Sequence, residues 1–211
     1  MGKSSIYLRN KVLENELMTS YDVAVYTALR KYCSWGMEEE LVTTDVLLYQ
    51  LYGKNFDKVK RTTKENFAEA INHLDEIGVI NITDTYDKDK YIIDMDSIFF
   101  TTSVKDPAVA IEKYEISDIF NIDCNENKIK ILRYFITIIG SIDYKTKVGF
   151  MPIDYLSKKA DISMQTAITY NKLLEDNKII YIKHGSGKYT EDGIKTESNS
   201  YVRYEDRKLI I

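Results

Sequence analysis

Residues 72–82 read Asn-His-Leu-Asp-Glu-Ile-Gly-Val-Ile-Asn-Ile, and residues 172–182 read Lys-Leu-Leu-Glu-Asp-Asn-Lys-Ile-Ile-Tyr-Ile. Each stretch has the pattern of the end of an amphipathic helix, then a polar break, then a short apolar strand. The segments upstream correspond in the same order, residues 20–32 to 126–139 and residues 43–51 to 152–160. The sequence therefore predicts a structural duplication with a spacing of about a hundred residues.

Each predicted copy has three helices followed by a strand, a turn and a second strand. This order is typical of a winged helix, so we predict the α+β class with two tandem winged-helix (winged helix-turn-helix) domains, rich in helix and with small antiparallel wings. We place the domains at residues 1–103 and 104–211, with a linker at about 101–112 that contains Asp106 and Pro107. A chain of 211 residues is long enough for each half to bury its own core.

Composition excludes several classes of protein. Hydrophobic residues make up 44% and charged residues 29% of the sequence, and no apolar run approaches the roughly 18 residues of a membrane span. With no apolar stretch of signal-peptide length near the amino terminus, we expect a cytoplasmic protein without a membrane partner. The cysteines, Cys33 and Cys124, do not make a disulfide framework, and with His73 and His184 they have no zinc-ligand spacing. We expect no cofactor and no metal.

Several residues predict helix ends in the first copy. Thr19 or Ser20 can cap the first helix by accepting a hydrogen bond from a free backbone N–H group. Thr62 and Glu65 have the spacing of a reciprocal capping box at the start of the third helix. Gly78 suits the left-handed position that ends that helix.

The wings are predicted from strand and turn patterns. In the first copy, strands at residues 79–83 and 91–95 enclose a polar turn. In the second copy, Pro152 begins a helix and Ser163 caps the next, and a strand at residues 179–183 then leads into a long wing at 184–197.

Charge is unevenly distributed along the chain. The net charge of −4 is unfavourable for a nucleic-acid-binding protein. However, residues 54–64 contain five basic side chains against Asp57 alone, and residues 178–195 contain four lysines against two carboxylates. Glu38, Glu39 and Glu40 form an acidic cluster that we expect in a loop. Local basic regions could therefore bind DNA phosphates despite the overall negative charge.

Residues 149–180 resemble the winged helix-turn-helix of Firmicute plasmid replication initiators, phage replisome organisers and the amino-terminal domain of DnaD-like primosome proteins. The resemblance covers a proline at one helix start, Pro152, the capping Ser163 with Thr166 after it, and an apolar end at Ile179 and Ile180. It implies a non-catalytic replication initiator of a plasmid or phage-like element that binds double-stranded DNA in a sequence-specific manner. No DnaD-type carboxy-terminal helical domain is recognised, which disfavours a primosome loader.

Two other functions are compatible with the same fold. Regulators of the GntR and MarR kinds share this motif, so a winged-helix transcriptional regulator is the alternative, and a winged-helix protein-interaction module is the second alternative. A homodimer and contacts with host replication proteins are further partners that the sequence leaves open. A repeat array beside the gene would favour initiation, and a divergent promoter would favour regulation.

The third helix of a winged helix enters the major groove with its first turns. Removing the inward positions of the second copy leaves four candidates for reading bases: Gln165, Thr166, Thr169 and Lys172. Candidate phosphate contacts lie at the start of the first copy's third helix and in the second wing: Lys60, Arg61, Thr63, Lys64, Lys183, His184, Lys188 and Lys195. The alternative is that the helix residues form a solvated face and the wing residues are ordinary loop charges.

The first copy is less suited to DNA, because Glu65 and Glu69 follow its basic residues on the same helix. We therefore expect the first domain to bind DNA more weakly or to contact a protein. We expect no enzymatic activity, because apparent enzyme motifs are incomplete. Residues 185–188, Gly-Ser-Gly-Lys, lack the upstream glycine and the following helix of a phosphate-binding loop, and neither histidine belongs to a strand-nicking metal motif.

Overall fold

The computed structural model describes residues 4–33, 38–99, 107–185, 187–190, 193–196 and 198–211. These residues form a mixture of helices and strands, in agreement with the predicted α+β class. The chain divides into two compact units, Met1–Asn121 and Ile122–Ile211. Within the described residues, no helix combines the length and the apolar character needed to cross a lipid bilayer.

The first unit alternates short strands with helices. Its elements are β1 (Ser5–Arg9), α1 (Asn10–Leu13), α2 (Ser20–Tyr32), β2 (Glu39–Thr43), α3 (Thr44–Tyr52), α4 (Arg61–Glu76), β3 (Ile82–Asp87), β4 (Lys90–Asp94), α5 (Met95–Phe99), β5 (Ala108–Glu112) and α6 (Lys113–Asn121). A 3-10 helix at Gly53–Lys58 connects α3 to α4. Strands β2, β4 and β3 form an antiparallel sheet in that order, so β4 lies between the other two.

The unit boundary differs from the predicted one at residue 103. Strand β5 pairs antiparallel with β1, with Ser5 opposite Glu112 and Arg9 opposite Ala108, and α6 contacts α3. These pairings join the segment after the predicted boundary to the amino-terminal unit. Of the predicted linker, residues 101–106 lie outside the described residues, and 108–112 are strand rather than connector.

Helix α4 is held in place by helix α2. The Thr19 side chain caps α2 in a reciprocal box with Asp22, as one of the two predicted caps. The buried Asp22 carboxylate also lies 2.9 Å from Nδ1 of His73 on α4. Apolar side chains of both helices, including Ala24 and Phe67, are fully buried. The opposite face of α4 is left toward solvent.

The second unit repeats much of this order. Its elements are α7 (Lys128–Gly140), β6 (Gly149–Met151), α8 (Ile153–Lys159), α9 (Met164–Asp176), β7 (Ile180–Lys183), β8 (Gly187–Thr190), β9 (Gly193–Thr196) and β10 (Asn199–Arg203). Strands β6, β10 and β7 form an antiparallel sheet in that order, which is the arrangement of β2, β4 and β3 in the first unit. Strands β8 and β9 form a separate hairpin between β7 and β10.

The two quoted stretches end their helices in the same way. Gly78 and Lys178 both have positive φ angles, 69° and 57°. In each copy, a carboxylate near the end of the helix accepts a hydrogen bond from the backbone N–H group seven residues later: Asp75 from Ile82 at 2.8 Å, and Glu175 from Ile182 at 3.0 Å. The repeat in sequence therefore extends to individual hydrogen bonds that fix the strand after the helix.

Three local predictions differ from the structure. The predicted box between Thr62 and Glu65 is absent, because α4 begins at Arg61 with no side-chain cap and Glu65 instead binds Arg61. The first wing is longer than predicted and turns more tightly, since β3 and β4 are separated only by Lys88 and Asp89. Glu39 and Glu40 belong to the edge strand β2 rather than to a loop, because the backbone of β2 pairs with that of β4.

Candidate nucleic-acid interface

Helix α9 is fixed by its two ends and by one buried face. Ser163 caps it as predicted, and its Oγ accepts a hydrogen bond from the Thr166 N–H group at 3.1 Å. The inward side chains are buried: Ala167, Tyr170, Asn171 and Leu174. Because an α-helix turns by about 100° per residue, these positions leave the opposite face of α9 open to solvent.

The structure brings together three of the four predicted base-reading residues on this open face. Gln165 and Lys172 are exposed and Thr169 is half-buried. Thr166 lies to one side of them, half-buried, with its Oγ1 2.8 Å from Oγ of Ser163. Thr166 therefore belongs to the capping turn rather than to the outward face.

Thr169 is restricted in the hydrogen bonds it can offer. Its hydroxyl donates to the backbone carbonyl of Gln165 at 3.2 Å, one turn earlier. A threonine hydroxyl has one hydrogen to donate and two lone pairs to accept with. While that bond is present, Thr169 can act toward a ligand only as an acceptor.

Two exposed apolar residues on the same face were not among the predicted site residues. Met164 is 54% exposed and Ile168, one turn further along α9, is 46% exposed. The sequence could have indicated Ile168, because it lies between the inward positions 167 and 170 and outside the buried stripe of the helix. We name the outward surface of α9 the α9 face and define it by Met164, Gln165, Ile168, Thr169 and Lys172.

Basic side chains also border the start of α9. A groove of about 790 Å³ runs between the first turns of α7 and α9 and is lined in part by Lys130, Lys158 and Ser163. Lys158 is 81% exposed, with its Nζ 3.9 Å from the Asp154 carboxylate. Glu126 and Asp161 line the same groove, so its charge is mixed.

The second wing supplies the other predicted phosphate contacts. Lys183 is exposed at the end of β7. The exposed His184 has its Nε2 3.6 Å from the Glu175 carboxylate, so a carboxylate stands beside it. Lys188 and Lys195 lie opposite each other in the pairing of β8 with β9, and their side chains are outside the described residues.

In the first unit, carboxylates pair with two of the predicted phosphate contacts. Nε of Arg61 lies 2.8 Å from Glu65, and Nζ of Lys64 lies 2.6 Å from Asp45. Lys60 is exposed and Thr63 is half-buried. Surface ion pairs are weak, so Arg61 and Lys64 can still leave these partners. The adjacent negative charges nevertheless reduce the attraction of both cations for a phosphate.

The two helices can be compared position by position, because the copies are displaced by one hundred residues. Residues 164–174 contain no aspartate or glutamate, whereas residues 64–74 contain Glu65 and Glu69. These glutamates are exposed at the positions of Gln165 and Thr169. The outward face of α4 therefore carries two carboxylates beside its basic residues, whereas the α9 face carries only the positive charge of Lys172.

Other chemistry in the described residues is limited. No cluster of three or more metal-ligating side chains occurs among them. Burial raises the pKa of the Cys33 thiol to about 12, and Sγ lies 3.0 Å from Sδ of Met95. A buried, protonated thiol is a poor nucleophile.

No protein-family model matches the sequence, and no curated protein matches it significantly.

Proposed function

We propose that each unit is a winged helix and that the chain is a cytoplasmic protein that binds double-stranded DNA through its second unit. In the first unit, helices α2, α3 and α4 precede the strands β3 and β4, and β2 completes the sheet. In the second unit, helices α7, α8 and α9 precede the strands β7 and β10, and β6 completes the sheet. This order supports the winged-helix fold in both units. In such a fold the third helix enters the major groove with its amino-terminal turns. That helix is α4 in the first unit and α9 in the second.

The observation that carries the proposal is the chemistry of the α9 face. Gln165 can form two hydrogen bonds with the edge of adenine, and Thr169 can accept from an adenine or cytosine amino group. Lys172 adds a positive charge two turns after Gln165, and within α9 no carboxylate occurs before Glu175. Glu175 is held by the N–H group of Ile182, away from the first turns of the helix.

The first unit has a different role in this proposal. Glu65 and Glu69 would face phosphate-lined walls if α4 entered a major groove, and like charges placed together disfavour binding. The first unit therefore contributes weaker phosphate contacts through Lys60 and its neighbours, or contacts a protein. Sequence preference comes from the second unit.

The biological role that we favour is initiation of replication of a plasmid or phage-like element, without catalysis by this chain. This part rests on the resemblance of residues 149–180 to plasmid initiators and on the duplication of the unit. A DNA fragment with a repeat array beside the gene should be bound and protected from nuclease digestion. Protection of a divergent promoter alone would support the regulator instead.

DNA binding itself is tested with the full-length protein and a pool of random duplexes. Selection should enrich a defined sequence, and fluorescence anisotropy should show affinity falling steeply between about 50 and 200 mM salt as counterions are released. Absence of duplex binding at the lower salt concentration would refute the proposed function.

A further inference from the structure

The α9 face includes two apolar side chains that hydrogen bonding to bases does not explain. Met164 and Ile168 are 54% and 46% exposed, and they lie one helical turn apart. Single exposed apolar residues are common on protein surfaces. Here, however, the pair is interleaved with Gln165, Thr169 and Lys172 in the two turns that would enter the groove.

The first unit provides an internal comparison. The residues of α4 at the positions of Met164 and Ile168 are Lys64 and Ala68, so α4 has neither large apolar side chain. Lys64 is paired with Asp45. The apolar pair is therefore specific to the helix whose outward face lacks carboxylates.

The chemistry of the groove indicates what these side chains contact. Thymine is the base that presents a methyl group in the major groove, and it binds apolar side chains there. An amphipathic protein partner would also cover apolar residues, but the neighbouring Lys172 and the absence of carboxylates in residues 164–174 favour a polyanion.

We infer that Ile168 and Met164 recognise thymine 5-methyl groups, so that the preferred site of the second unit carries thymine where the start of α9 meets the major groove. This inference rests on the proposed function and specifies the bases that it reads. Gln165 would select adenine on the same segment, so the pair and Gln165 together favour A/T base pairs.

The test compares full-length protein on two duplexes of equal length, alternating dA-dT and alternating dA-dU, which differ only in the thymine methyl group. We expect the uracil duplex to bind about fourfold more weakly for each methyl group contacted. A buried methylene contributes about 0.8 kcal/mol, and about 1.4 kcal/mol corresponds to tenfold in affinity.

Variants assign the difference to a residue. Ile168→Ala, which gives α9 the side chain that α4 has there, should bind the thymine duplex more weakly and should lose most of the discrimination. Gln165→Ala is the matched control on the same face: it should weaken binding to both duplexes and keep the discrimination. Because Ile168 is exposed, both variants should retain the wild-type circular dichroism spectrum, and Ile168→Val should keep part of the preference.

The outcomes separate this inference from the proposed function. Equal affinity of the wild-type protein for the two duplexes overturns the inference and leaves DNA binding intact. Discrimination that persists unchanged in both Ile168→Ala and Met164→Ala also overturns it. Absence of binding to either duplex at low salt overturns both. A change of oligomeric state in Ile168→Ala, without thymine discrimination in the wild type, would assign the pair to a protein contact and overturn the inference.

Discussion

The Tyr134 hydroxyl donates a hydrogen bond to Oδ1 of Asn171 at 2.9 Å and so connects α7 to the buried face of α9. The Asn171 amide in turn donates to the Tyr201 hydroxyl on β10 at 3.2 Å. Burial raises the pKa of Tyr134, so its hydroxyl remains a protonated donor. These bonds link the helix that carries the α9 face to a neighbouring helix and to the sheet.

Removing the donor should destabilise the second unit. Tyr134→Phe leaves the buried Oδ1 of Asn171 without its hydrogen bond, and we expect the free energy of unfolding to fall by about 1–3 kcal/mol. Urea denaturation followed by circular dichroism measures this. Tyr144→Phe is the control, because Tyr144 is 83% exposed in the structure and should change stability little. Equal stability of the two variants would contradict a structural role for this network.

Gln165 should determine sequence preference. Gln165→Ala should cost on the order of 1–3 kcal/mol on the selected site while leaving binding to random duplex nearly unchanged, because a bidentate contact with a base discriminates among sequences. Anisotropy titrations on both duplexes measure the two affinities. Glu65→Ala, at the corresponding position of α4, is the matched control and should not weaken the selected site. Equal losses for Gln165→Ala on both duplexes would mean that Gln165 does not read bases.

Lys172 should contribute through charge. Lys172→Asn, which installs the residue found at position 72, should reduce the slope of log affinity against log salt by about one, as expected for one lost phosphate contact. Arg61→Asn should alter the slope less, because Arg61 already pairs with Glu65 at 2.8 Å. If the slope falls for Arg61→Asn and stays constant for Lys172→Asn, the roles of the two helices are reversed.

The two cysteines should differ in reactivity. Burial raises the pKa of Cys33 to about 12, so at pH 8 almost none of it is thiolate, whereas Cys124 is half-buried. Since the thiolate is the reactive form, a disulfide reagent should modify one thiol in the native protein and two in denaturant. Rapid modification of native Cys124→Ser protein, in which only Cys33 remains, would contradict the buried position of Cys33.

The sequence predicts ends of helices α2, α4 and α9 from local signals, whereas the short helices α1 and α5 and the helix α6 are not among the three helices predicted for the first copy. Thr19 and Ser163 cap the helices they were expected to cap, and Gly78 has the positive φ angle that ends α4. At the start of α4, local reasoning was wrong, because the helix begins at Arg61 and brings its guanidinium within reach of Glu65.

Long-range strand pairing was not predictable in the same way. Strand β5 belongs to the first unit only because it pairs with β1, about a hundred residues earlier in the chain. Strand β6 spans Gly149–Met151, too short for an alternating pattern to be recognised. Strand β2 begins with two glutamates, which are typical of loops, and is stabilised by its pairing with β4.

The candidate site was predictable in part. Gln165, Thr169 and Lys172 follow from subtracting the buried stripe of α9, and the structure places them on one outward face. The sequence predicts Thr166 as a base-reading residue because its position is not one of the buried ones, but in the structure its hydroxyl contacts the capping Ser163. The sequence does not single out Met164 and Ile168, because apolar residues in a helix are usually buried, and only the structure gives their exposure.

The central claim is that the α9 face binds DNA and that the corresponding face of α4 does not read sequence. The most direct measurement exchanges one side chain between equivalent positions in the full-length protein, Thr169→Glu and, separately, Glu69→Thr, and determines affinity for the selected duplex at low salt. We predict that Thr169→Glu weakens binding by more than about tenfold, since a carboxylate would face the groove, and that Glu69→Thr leaves the preferred sequence unchanged. Wild-type affinity in Thr169→Glu, with an altered sequence preference in Glu69→Thr, would contradict the account.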